Sequence, residues 1–230
     1  MEMKVRIGIY PYLIMAVILI LATNCKKENE DPPETVTDAD GNIYTTVIIG
    51  TQIWMGENLK TTKYNDGTSI PPVTDNTQWK NLNTAAFCWY KNDASTYENP
   101  YGALYNWFAV NTGKLCPTGW HVPTHAEWTA LTDYLGGEVV AGGKLKESGI
   151  LHWDSPNVDA TDESGFTGLP GGGRQDGEFL FLGISGSWWS ASESNTNWAI
   201  ERGLNYNSGS VFWVNFNPKT NGYSVRCLKD

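Results

Sequence analysis

LCPTGWHVPTHAEWTALTDYLGG, Leu115 to Gly137, gathers a cysteine, two prolines, two histidines and two tryptophans around the start of a helix. Thr124-His125-Ala126-Glu127 has the form of a capping box. In that motif the threonine hydroxyl takes one free amide and the glutamate reaches back to another, worth on the order of 1 kcal/mol. Trp128, Leu131 and Leu135 then fall on one helical face, and Gly136-Gly137 closes the helix in the left-handed conformation. His121 and His125 invite a metal reading, but a zinc pair of the H-E-x-x-H kind needs both histidines on the helix. Val122-Pro123 lie outside it and no third ligand is in view. The stretch reads as scaffold, with no metal and no cofactor expected.

Working outward toward the C-terminus, residues 157–187 are punctuated by glycine, including Gly165-Phe166-Thr167-Gly168-Leu169-Pro170-Gly171-Gly172-Gly173-Arg174. No Gly-Lys-Ser or Gly-Lys-Thr follows, so a phosphate cradle is not expected. Strands are expected over Ser187–Ala191, Asn197–Leu204, Val211–Phe216 and Tyr223–Leu228, joined by Asn- and Gly-rich hairpin connections. Toward the N-terminus, Leu104, Trp107 and Phe108 predict a helix over Pro100–Val110, ended by Thr112-Gly113. β-Branched residues predict strands over Ile43–Ile49 and Gln52–Met55. Asp38-Ala39-Asp40-Gly41 precedes them as a turn; the bidentate glutamate that would complete a calcium loop does not follow.

The first forty residues have a different character. Lys4 and Arg6 precede an apolar run from Ile7 to Leu21, then Ala22-Thr23-Asn24-Cys25. This is the layout of a signal peptide, and the run is short for a membrane span, which needs about 20 apolar residues. Cys25 stands where a bacterial lipobox places the lipidated cysteine, so cleavage after Asn24 and acylation of Cys25 are expected. Cys25-Lys26-Lys27-Glu28-Asn29-Glu30 resembles the charged signal that exports lipoproteins of some Gram-negative bacteria to the outer face of the outer membrane. Three segments are therefore expected: a signal peptide over 1–24, a flexible tether over 25–37 with Pro32, Pro33 and no aromatic residue, and one domain over 38–230.

Loss of Glu2, Lys4 and Arg6 would move the formal charge from −9 to −10, an acidic balance that argues against a nucleic-acid partner. In an exported, oxidising compartment Cys88, Cys116 and Cys227 allow one disulfide and leave one thiol. Eleven Trp, eleven Tyr and 24 Gly point to a loop-rich domain held by aromatic clusters, with Trp188, Trp189 and Trp213 expected in the core.

Gly50-Thr51-Gln52-Ile53-Trp54-Met55-Gly56-Glu57-Asn58-Leu59, Tyr101-Gly102-Ala103-Leu104-Tyr105-Asn106-Trp107, Cys116-Pro117-Thr118-Gly119-Trp120-His121-Val122-Pro123-Thr124, Trp188-Trp189-Ser190-Ala191-Ser192 and Tyr223-Ser224-Val225-Arg226-Cys227 occur in that order. Together they resemble the Fibrobacter succinogenes major paralogous domain, a family of exported bacterial proteins, frequently lipoproteins, with no general biochemical activity assigned. Val122–Trp128 and Gly222–Cys227 are more distantly similar to two signatures of the formylglycine-generating, sulfatase-modifying family. That likeness implies an α+β, C-type-lectin-like domain of antiparallel strands with two main helices and long loops. It also implies a Cys116–Cys227 disulfide, with Cys88 left over.

The oxidase chemistry of the formylglycine-generating enzymes needs two cysteines shortly before the final motif, and Leu204–Gly222 contains none. There is no G-x-S-x-G nucleophile, His152 is alone, and no carboxylate pair is singled out for glycoside hydrolysis. The chain is therefore expected to be no enzyme but a surface-anchored binding or adhesion lipoprotein for a glycan or protein ligand; a structural or accessory lipoprotein of the cell envelope is the alternative, and an enzyme of unknown mechanism stands third. Loop residues Arg174, Asp176, Asn205 and Tyr206 are the candidate ligand contacts, expected to be exposed.

Overall fold

β-Branched side chains pack well on a pleated surface, and the N-terminal part of the fold is built from them. β1 (Thr35–Thr37), β2 (Ile43–Ile49) and β3 (Gln52–Met55) run antiparallel. The computed structural model describes residues 1–3 and 34–230, so Cys25, the expected signal peptide and most of the expected tether lie outside the described residues. The tether was expected to reach Thr37. Instead Thr35, Val36 and Thr37 pair with Thr45, Tyr44 and Ile43, because Thr-Val-Thr suits a strand and half-buried Val36 packs on the core. Asp38 makes the turn that follows. Its carboxylate accepts from the Asp40 and Asn42 amides, each at 2.9 Å, and from the Tyr44 hydroxyl at 2.6 Å.

The middle of the chain holds α1 (Asn76–Lys80), β4 (Phe87–Cys88), α2 (Ala94–Tyr101), β5 (Leu104–Asn106) and α3 (Trp107–Val110). The single helix expected over Pro100–Val110 is thus broken in two places. Gly102, at φ 73°, lies so close to the chain before it that a Cβ there would meet the Leu59 carbonyl oxygen at 2.7 Å. Leu104–Asn106 is then captured by strand pairing. The Asn106 side chain, accepting from the Ala109 amide at 3.1 Å, starts a new helix. The i, i+3, i+4 pattern is real, but long-range pairing overrides it.

β6 (Trp120–His121) leads into α4 (His125–Tyr134) and α5 (Glu138–Leu145). The capping box is complete: Thr124 Oγ1 accepts from the Glu127 amide at 3.3 Å, and Glu127 Oε2 accepts from the Thr124 amide at 2.7 Å. At the other end Gly136 and Gly137 return their amides to the Asp133 and Thr132 carbonyls, the paired bonds of a Schellman ending. His125 is the first residue of the helix, as its position after the cap requires.

Seven strands follow: β7 (Gly173–Gln175), β8 (Glu178–Leu180), β9 (Ser185–Glu193), β10 (Trp198–Asn205), β11 (Val211–Pro218), β12 (Gly222–Tyr223) and β13 (Leu228–Lys229). The three sheets have the orders β1-β2-β3-β13-β6, β4-β5-β12-β7-β8 and β11-β10-β9. All named strand pairs are antiparallel. The molecule is a mixed fold of curled antiparallel sheets with few helices. The last expected strand, Tyr223–Leu228, is in fact a crossing. β12 lies in one sheet and β13 in another, and Ser224 bridges to Trp188 in the third.

Cys116 and Cys227 are joined, Sγ to Sγ at 2.02 Å, and Cys88 is free and buried. Trp188 and Trp189 are in the core, whereas Trp213 is 41% exposed. It lies on the edge strand β11, which has a neighbour on one side only, so its ring stays partly open to solvent while meeting the His125 ring at 4.9 Å. Several quoted motif residues meet around one buried group. Arg226 donates from Nη2 to Asn58 Oδ1 at 2.8 Å and from Nη1 to the Phe166 carbonyl, while Trp188 Nε1 donates to the same Asn58 oxygen at 2.8 Å.

Candidate functional site

The three-stranded sheet offers one face to α4 and the other to a cavity of about 360 Å³. Register explains which side chains line it. Glu201 opposes Trp189 on β9 and Val214 on β11, Gly203 opposes Ser187 and Phe212, and Asn205 opposes Ser185. Opposed residues share a face, so Ser185, Ser187, Glu201, Asn205, Phe212 and Val214 face the cavity together. The intervening residues, Trp188, Arg202 and Trp213, belong to the α4 side. A bulge between Ala199 and Glu201 shifts the register and fixes where Glu201 enters the face. The Phe212 ring reaches over the opposite backbone: a Cβ at Gly203 would come within 2.1 Å of its tip. Only glycine leaves room for it.

The floor is polar and connected. Glu201 is 5% exposed and accepts from Asn217 Nδ2 at 2.7 Å. The Tyr223 hydroxyl donates to Asn217 Oδ1 at 3.0 Å and accepts from Gln175 Nε2 at 3.1 Å and Asn221 Nδ2 at 3.2 Å. Burial pushes the Glu201 carboxyl up to about 7, against the hydrogen bonds of Ser187, Asn217 and Tyr223. Tyr223 is raised well above the usual phenol range, first by burial and then by Glu201. The mouth is aromatic, with Phe181 46% and Phe216 64% exposed.

Of the four expected contacts, the structure brings one to this cavity, Asn205. Tyr206 follows it but packs against the neighbouring core and is tied by its amide to the Ile184 carbonyl. Asp176 is exposed at the tip of the β7–β8 hairpin, where Asp176 and Gly177 both have positive φ; it is a turn residue. Arg174 must be corrected: it is not an exposed loop residue but is fully buried on β7. Its guanidinium donates to the Gly177, Val73 and Thr74 carbonyls at 2.9, 2.7 and 2.8 Å and lies 4.5 Å from the Trp79 ring. It is a rivet between loops. Reading a charge among glycines as solvent-facing overlooked that uncapped carbonyls can surround it.

The histidines are separately engaged. His121 holds Asp230 through Nδ1 at 2.7 Å and Glu127 through Nε2 at 3.0 Å. Burial opposes its protonation, but the two carboxylates outweigh burial and raise it. His125 is lowered by burial and by Arg202, and His152 contacts Glu147 at 2.8 Å. Among the described residues no group of three or more His, Cys, Asp or Glu is placed to hold a metal ion. Burial raises the Cys88 thiol to about 12. A second cavity, of about 200 Å³, reaches Arg226 and Glu57. Glu57 is spent on the Thr45 amide and hydroxyl, at 2.9 and 2.8 Å.

The sequence profile of the Fibrobacter succinogenes major domain matches residues 47–229. No curated protein and no solved structure matches the chain.

Proposed function

Because the chain belongs to the Fibrobacter succinogenes major domain family, to which no chemistry is attached, we propose a function from its geometry: a noncatalytic binding module with a glycan ligand, seated in the cavity beside β11. The observation that carries this reading is the pairing of a phenylalanine-lined mouth with a floor of amide, hydroxyl and carboxyl groups. Sugar rings offer an apolar face for stacking and hydroxyls for such a floor. The lining has one carboxyl and no histidine or cysteine. Glycoside hydrolysis ordinarily needs two carboxyls flanking the bond, which supports binding without turnover.

The reading places the module on the cell surface as an outer-membrane lipoprotein held through acylated Cys25, with a C-type-lectin-like fold presenting its loops outward. Several acyl chains anchor stably where one binds marginally. Two experiments test these parts. Mass spectrometry of the mature protein is expected to show residues 1–24 missing and Cys25 acylated; an intact Met1 refutes the anchor. The full chain on a glycan array is expected to retain a defined set of glycans and to lose them on Phe216→Ala. Failure to retain any glycan would favour a structural or accessory role in the envelope.

A further inference from the structure

We infer that the same cavity is built for a cationic ligand group: an alkylammonium seated against Phe181, Phe212 and Phe216, with Glu201 as its counter-ion. The inference rests on the binding-module reading and adds a charge to its ligand.

Charge complementarity carries it first. Among the described residues Glu201 is the only charged side chain in the lining, with no Lys, Arg or His beside it. The groups that act on its carboxyl are Ser187 from β9, Asn217 from β11 and Tyr223 from β12; of these only Tyr223 titrates, and none is a cation. A buried carboxylate is costly unless paired. A cation arriving from solution supplies the partner that the surrounding strands do not. Burial raises the protonation range of Glu201, and no neighbouring cation offsets it.

The walls make the second argument. Aromatic faces carry the negative pole of the ring quadrupole and attract cations, most strongly when water is displaced. The tip of the Phe212 ring packs against Gly203, which holds it at the cavity wall. Phe181 sits at the mouth at φ 65°, a backbone region that a bulky side chain rarely occupies and that must be held by its surroundings. A metal cation would want several oxygen ligands. A single carboxyl on a floor of neutral amides and hydroxyls, beneath phenyl rings, suits a weakly hydrated organic ammonium instead.

The test titrates the detergent-solubilised full chain with choline and with 3,3-dimethylbutanol, its uncharged carbon isostere, at about pH 5.5 and about pH 7.5. Choline carries a fixed charge, so any pH dependence belongs to the protein. At the higher pH choline is expected to bind about tenfold or more tightly than the isostere. Its affinity is expected to rise roughly tenfold from the lower pH, because it binds the ionised carboxyl. Glu201→Gln is expected to abolish both differences; near-ultraviolet circular dichroism checks that this variant is folded, and the pH dependence of the wild type needs no variant. Equal affinity for the two probes, no binding of choline, or choline binding unchanged by Glu201→Gln overturns the inference. Neutral glycans retained and lost on Phe216→Ala, with no preference for choline, would overturn the charge and leave the glycan module standing. Choline bound through Glu201 with no glycan retained would do the reverse.

Discussion

Glu201 also governs how stability follows pH. In the unfolded chain its carboxyl titrates near the ordinary 4.5, and in the fold near 7. Between those values the unfolded chain has released a proton that the folded chain keeps, so rising pH favours unfolding. The contribution is complete below about 4.5 and is lost as pH rises through about 7. Asp40, Asp66 and Glu127 are held below their usual range, so they act in the opposite direction and at lower pH. Thermal melts are therefore expected to fall across the higher window, and Glu201→Gln to flatten much of that fall. His121, raised by its two carboxylates, adds a decline of the same sign near and above 6.5, which His121→Ala would remove. If the histidines are scaffold, neither His121→Ala nor His125→Ala changes the metal content found by elemental analysis. A stoichiometric metal lost on either change would contradict that role.

α4 shows what local sequence can decide. Its cap, apolar face and glycine ending all lie within Thr124–Gly137, and each does what the spacing predicts. Thr124→Ala is expected to cost about 1 kcal/mol in denaturant melts. Leu104–Asn106 shows the limit: its strand partners are Phe87–Cys88 and Gly222–Tyr223, which no local pattern reveals. The candidate site was hidden for the same reason. Its side chains come from Gln175, Ser187, Glu201, Phe212, Asn217 and Tyr223, and only register gathers them. Alternation of Phe212, Val214 and Phe216 was the one signal available, and it does not say which face of the strand is open. Lys146 is another long-range device. Its ammonium donates to the Val158, Ser208 and Asn205 carbonyls at 2.7, 2.9 and 3.1 Å, fixing two loops beside the cavity. Lys146→Met leaves those carbonyls without their donor and is expected to cost about 2 kcal/mol or more. Hydrogen exchange should quicken at the amides of Val158 and Tyr206.

Across the whole molecule, the Cys116–Cys227 bridge closes a sequence separation of 111 residues. On the chain-entropy account it contributes about 4–5 kcal/mol by restricting the unfolded chain. A Cys116→Ser, Cys227→Ser double variant should lose most of that in denaturant melts, whereas Cys88→Ser leaves the bridge intact. The bridge ends in the segment that joins the sheets: Gly222–Lys229 supplies β12 and β13, and Ser224 exchanges backbone hydrogen bonds with Ser187 and Trp189. That placement has a consequence for biogenesis. Each sheet lacks a strand or a bridge until these residues, the last of the described chain to be synthesised, have left the ribosome. Completion of all three sheets is thus a late event in folding, set by the end of the described chain and not by its beginning.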